Sequence, residues 1–149
     1  MRASPSVVRS RRCLGIVTIE FALVAPLMLL LLAGVLDFGR SVRAAICVAD
    51  AARAGAQYGS LSPANAGDTT GIQNAAKNAA PDVTTLTVTM VKSCACSGGS
   101  SVSCSGSCTG GKMLIYSKVT AQVTCQPIFS YPGLAYTGVT SSTASLRAQ

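Results

Sequence analysis

"LGIVTIEFALVAPLMLLLLAGVL", Leu14 to Leu36, reads as a membrane-crossing helix with one residue out of place. From Ile16 to Leu36 run 21 residues in which Glu20 is the sole charge, and Glu20 is the only glutamate in the chain. At about 1.5 Å of rise per residue, the run is roughly 30 Å long as a helix, the thickness of a bilayer's hydrocarbon core. No second stretch approaches it in length or apolarity, so a single crossing is expected. A charge at the centre of a span costs about 2.5–3.5 kcal/mol on insertion scales, and less near an end. Glu20 therefore needs a reason.

The flanks set the orientation. Arg2, Arg9, Arg11 and Arg12 precede the span without an acid among them, and Asp37, Arg40 and Arg43 follow it. The arginine excess favours a cytoplasmic N-terminus and an extracytoplasmic remainder. In a bacterium this is a single-pass inner-membrane protein. With 149 residues, the chain has room for one domain of about 100 residues beyond the anchor. The net charge of +7 invites a nucleic-acid reading, but four of the twelve basic residues crowd the leader and the others stand singly. No clustered basic face with interleaved aromatics is visible, so no nucleic-acid partner is expected.

A secretory signal would have an apolar core of 7–15 residues and a small-x-small cleavage site. The only such candidate is near Ala33-Gly34, after a run that is too long. A plain uncleaved anchor explains the hydrophobicity and leaves Glu20 unexplained. Gly15 follows the basic leader, and Glu20 lies five positions beyond it. This pattern resembles the type IV prepilin processing site, where a membrane-embedded peptidase cuts after a glycine and a glutamate stands fifth in the mature chain. The resemblance implies cleavage between Gly15 and Ile16. Cutting would create an α-ammonium at Ile16, about 6 Å along the helix from Glu20. A carboxylate and an ammonium paired in a low-dielectric place recover part of the desolvation cost. Formed between neighbouring subunits, the pair would also fix their register, which makes Glu20 a docking group.

"GIVTIEFALVAPLMLLLLAGVLDFGR" narrows the match. It resembles the opening of the TadE-like family of tight-adherence (Tad/Flp) pilus proteins. The matching features are the pair Glu20-Phe21, the run Ala22 to Pro26, the leucines from Leu27 to Leu32, and Asp37 to Arg40. "VADAARAGAQYG", Val48 to Gly59, is similar to that family's alanine-rich helix ending in Arg-x-Gly-x-x-Tyr. The resemblance covers roughly the first 60 residues. It implies a membrane-anchored pseudopilin or minor pilin for assembling an adhesive pilus, with Glu20 and Phe21 at its assembly contacts. Its implied partners are a prepilin peptidase, other pilus subunits and assembly-platform proteins.

The expected fold is α+β and pilin-like. A leader at 1–15 is cleaved, a transmembrane helix follows at 16–36, and an extracytoplasmic domain occupies 37–149. The helix continues past Asp37 with an apolar face through Phe38, Val42, Ala45, Ala49, Ala52 and Ala56, at spacings of four and three. Gly55 and Gly59 weaken its end, and Ser60 to Asp68 is a loop by its Pro, Gly and Ser content. Ile72, Ala75, Ala76 and Ala79 suggest a short second helix stopped by Pro81. "VTTLTVTMV", Val83 to Val91, and "KVTAQVTC", Lys118 to Cys125, alternate strictly and read as half-buried strands of a small antiparallel sheet. A weaker strand runs from Val139 to Leu146. The aromatic stretch from Pro127 to Tyr136 is expected to lid the core.

Seven cysteines are an odd number for an exported protein, but Cys13 would leave with the leader. The six others are disulfide candidates: Cys47 on the helix, Cys94, Cys96, Cys104 and Cys108 in a Gly/Ser-rich loop, and Cys125 on a strand. The loop spacings are unlike the paired C-x-x-C knuckles of zinc sites, the chain has no histidine, and thiols oxidise outside the cytoplasm. Three intramolecular bridges are expected, at least two of them largely within the loop, and the third joining Cys47 to Cys125. Pairings inside the loop are open, since six cysteines allow 15 connectivities.

Catalysis has little to stand on. Beyond Glu20 the acids are Asp37, Asp50, Asp68 and Asp82, none closely paired in sequence, and no phosphate-binding loop follows a strand. Neither an enzyme nor a cofactor or metal is expected. The leading expectation is a structural one, a processed TadE-like pseudopilin. The alternative is an unprocessed, membrane-anchored receptor or adhesin whose disulfide-rich domain binds a ligand.

Overall fold

The computed structural model of the chain describes residues 14–128 and 138–149. In chain order it has a helix α1 (Leu14–Ser60), a single 3-10 turn (Asn65–Gly67) and a helix α2 (Thr69–Ala79). Four strands follow: β1 (Thr87–Cys96), β2 (Ser101–Val102), β3 (Met113–Cys125) and β4 (Gly138–Arg147). This is an α+β arrangement with two compact units, Met1–Phe38 and Gly39–Gln149.

In the first unit, the leucine-rich composition favours helix, and Pro26 is accommodated inside it. The large apolar side chains from Val17 to Leu36 are all at least half exposed. Among the described residues nothing covers this helix, which is apolar on every side, and its length and composition fit a membrane anchor.

The second unit builds its core from small residues. Val48, Ala51, Ala52 and Ala56 of α1 are fully buried, as are Ile72 and Ala76 of α2 and Val119 and Ala121 of β3. Gly55 and Gly59 share the buried face of α1. A Cβ built on Gly55 would lie 3.1 Å from Val119 Cγ1, and one on Gly59 would lie 2.7 Å from Ser117 Cβ. The sheet thus reaches the helix backbone where side chains are missing. The expected apolar face holds at Ala52 and Ala56, but Phe38, Val42 and Ala45 are exposed. The difference has a physical cause. The two glycines, read as weak points of the helix, belong to its packing face and turn that face toward Val48, Ala51 and Gly55.

Asp68 caps α2 by accepting from Gly71 N–H, and Ala80 ends the helix one residue before Pro81. The sheet order is β2-β1-β3-β4, and every neighbouring pair is antiparallel. Alternation sorts the two faces. Val88, Val119, Ala121 and Val123 are buried beneath the helices, while Thr87, Thr89, Gln122, Ser141 and Thr143 are exposed on the other side. The strand expected at 83–91 begins four residues later and runs on to Cys96, because Thr84 and Thr85 are spent in a turn after Pro81. Most of the aromatic stretch, residues 129–137, lies outside the described residues, so the expected lid does too.

Two disulfides close the Gly/Ser-rich loop, Cys94–Cys104 and Cys96–Cys108. Both staple the end of β1 to the loop that carries β2. The expected third bridge is not formed. Cys47 and Cys125 are free thiols, half-buried against the same core, where they pack as small apolar side chains.

Candidate functional site

Two places are candidate sites, and only the first carries residues given a role above. The first is the start of α1. Gly15 and Ile16 stand in its opening turn, and Glu20 follows one turn beyond Ile16. Glu20 is exposed, and so is Phe21 at 71%. They sit at the end of the apolar segment rather than its middle, where a carboxylate is cheaper to hold. In the second unit, Arg43 Nη2 meets Asp82 Oδ2 at 2.6 Å and Arg53 Nη1 meets Asp50 Oδ1 at 3.6 Å.

The second place is the junction where α1 ends, and its residues were not singled out for a role by sequence reasoning. Tyr58 Oη donates to Asp68 Oδ2 at 2.9 Å, while Gly71 N–H donates to Asp68 Oδ1 at 2.9 Å. One carboxylate therefore ties the last turn of α1 to the first turn of α2. The Gly71 N–H bond, and then the Tyr58 hydroxyl, hold the Asp68 carboxyl below its usual range. The hydrogen bond to Asp68 in turn raises the Tyr58 phenol. A Cβ at position 71 would meet both the Tyr58 hydroxyl and the Asp68 carboxylate, so a larger residue there would displace the pair. The C-terminus closes the junction from the other side, with Ala148 N–H on Ile115 O at 2.8 Å and Gln149 N–H on Ser60 O at 3.1 Å.

This geometry gives the Arg53-x-Gly55-x-x-Tyr58 pattern a physical meaning. Gly55 admits Val119 and Ile72 against the helix, and Tyr58 reaches the cap of α2. Arg53 makes only an exposed ion pair one turn from Asp50, an interaction of small worth. The signal that could have revealed the junction was present in the sequence. Gly55 and Gly59 stand four apart on a face of alanines, the spacing that lets another backbone approach, and Asp68 precedes Thr-Thr-Gly at a helix start.

Among the described residues, no group of three or more Cys, Asp or Glu side chains converges where a metal could be held. The four loop cysteines are joined in pairs.

Comparison with known protein families adds one finding. The family described as TadE-like protein matches residues 15–57, beginning at Gly15 and ending one residue before Tyr58. No curated protein and no solved structure matches the chain significantly. The matched segment contains the apolar span, Glu20 and the helical face that packs on the sheet, and it leaves the strands outside. Through nearly the whole of α1, and only there, this chain is similar to the TadE-like family model.

Proposed function

We propose that the protein is a pseudopilin or minor pilin of a Tad (Flp) pilus, matured by a prepilin peptidase between Gly15 and Ile16. The observation that carries this reading is the coincidence at the head of α1. The family match begins at Gly15, Glu20 stands fifth after it, and an uncovered apolar helix follows. In the mature chain, the Ile16 ammonium of one subunit pairs with Glu20 of a neighbour in the membrane, and Phe21 packs beside them. The arginine-rich leader keeps the N-terminus in the cytoplasm until cleavage, and the sheet domain stands outside. The chemistry assigned to this chain is assembly and surface adhesion. Its partners are the peptidase, other pilus subunits and the assembly platform.

Glu20→Gln tests the docking role. The amide keeps the size and removes the charge, so the variant is expected to insert into the membrane and to support surface pili poorly. Full complementation of a deletion strain by Glu20→Gln would refute it.

A further inference from the structure

Among the described residues, nothing packs on the sheet face turned away from the helices, and its charge and hydroxyl content point to a kind of partner. No acidic residue occurs after Asp82, whereas Lys92, Lys112, Lys118 and Arg147 do. All the acids of the second unit lie in the helices and the turns beside them. The register places the outward residues in rows across β1, β3 and β4. These are Thr87–Gln122–Ser141, Thr89–Thr120–Thr143, Val91–Lys118–Ser145 and Ser93–Tyr116–Arg147. Thr120 and Thr143 are hydrogen-bonded hydroxyl to hydroxyl at 2.9 Å. Lys118 and Arg147 are exposed and flank the half-buried Tyr116, one two residues along its strand and the other directly opposite it. Directly opposed residues bring their Cβ atoms to about 5 Å, so the two cations and the ring form one patch at the end of a hydroxyl ladder.

We propose that this face binds an acidic polysaccharide, a uronic-acid polymer, through carboxylates on Lys118 and Arg147, a sugar ring against Tyr116, and hydroxyls along the Thr/Ser rows. Charge complementarity excludes a basic partner, and the thinness of the charge argues against nucleic acid. Duplex DNA carries a negative charge about every 1.7 Å, and a surface that reads it needs many more cations than the two among these rows. A polyuronate bears at most one carboxylate per sugar and is otherwise hydroxyl-rich, as this face is. The inference rests on the proposed topology only for what the face meets outside the cell, and the binding measurement is read independently of leader processing.

The test uses the purified full chain in detergent micelles, with the basic leader common to all variants. Retention is measured on immobilised alginate, on neutral dextran and on double-stranded DNA over a range of salt. Alginate is expected to retain the protein at low salt, with affinity falling as salt rises, and dextran is not. Lys118→Gln with Arg147→Gln should weaken alginate binding about tenfold or more, the loss of two charge-assisted contacts. Lys77→Gln, on exposed α2, should leave it unchanged. Thr120→Val with Thr143→Val, which keeps the charge and shape, should weaken it a few-fold. Equal binding of dextran, an unaltered affinity in the Lys118/Arg147 double variant, or tighter binding to DNA than to alginate would each overturn the proposal.

Discussion

Gly59→Ala should destabilise the second unit although it improves the helix. Alanine in a helix interior is favoured over glycine by about 1 kcal/mol. Carbon atoms in contact ordinarily settle about 3.5–4.0 Å apart. At position 59 the new Cβ would sit 2.7 Å from Ser117 Cβ, nearer still to Ser117 Oγ, and 3.3 Å from Ile72 Cδ1. Relieving that contact requires α1 and β3 to separate by roughly 1 Å, over a core whose members are fully buried. Because two backbones must part, overpacking here costs about 2–3 kcal/mol, the upper part of its usual range, so a net loss of about 1–2 kcal/mol is expected. Ser117→Gly removes the obstruction. In that background Gly59→Ala should stabilise by about 0.5–1 kcal/mol, giving a coupling of about 2 kcal/mol between the two sites. The measurement is urea unfolding of the four cycle members in detergent, followed by tyrosine fluorescence, with disulfides intact. The reasoning fails if Gly59→Ala is as stable as the wild type, or if its effect is the same in both backgrounds.

Other consequences can be checked separately. The Tyr58–Asp68 junction makes stability pH-dependent on both sides. Its carboxyl is lowered, so its contribution is present above the ordinary aspartate value and lost as pH falls through the depressed one. The raised phenol contributes below the ordinary tyrosine value and loses that contribution as pH climbs through the elevated one. Tyr58→Phe should flatten the alkaline limb entirely and the acid limb in part, as read from midpoints of unfolding at several pH values. Reducing Cys94–Cys104 and Cys96–Cys108, which close spans of 10 and 12 residues, should cost about 3 kcal/mol each in the chain-entropy model, visible as a lower urea midpoint. Alkylating the mature chain under non-reducing, denaturing conditions should label two thiols, Cys47 and Cys125. Labelling of neither would mean that they are bridged in the cell. A bulky residue in place of Gly15 should block cleavage, followed as retention of the larger species on a gel.

The parts of the fold that could be read in the sequence were those written as a period. The apolarity from Ile16 to Leu36, broken by the single charge of Glu20, pointed to an anchor, and the alternation through Val119, Ala121 and Val123 specified a strand buried on one side. Pro81 stopped α2 where a missing N–H and a fixed φ require it. What stayed hidden depended on contacts distant in sequence. The spacing of Gly55 and Gly59 admits a close neighbour, but nothing local names it, since the neighbours are Val119 and Ser117, about 60 residues away. The same holds for Asp68, whose role is set by Tyr58 as much as by the helix it caps. The loop disulfides were expected as chemistry, and their pairing followed only from the β1–β2 register, which turns the loop after Val102 back against Cys94 and Cys96. Of the candidate site, the residue types at Gly15, Ile16 and Glu20 were legible because the processing pattern is local. The group that Glu20 would meet was not, because no local pattern names it.

The account turns on whether Ile16 becomes the N-terminus. Intact-mass analysis of the membrane-extracted protein, from cells with and without the cognate prepilin peptidase, measures this directly. The account predicts loss of residues 1–15 only when the peptidase is present, leaving a chain that begins at Ile16 and retains Glu20 as its fifth residue. A protein that keeps Met1 and its arginine leader in peptidase-positive cells would contradict it.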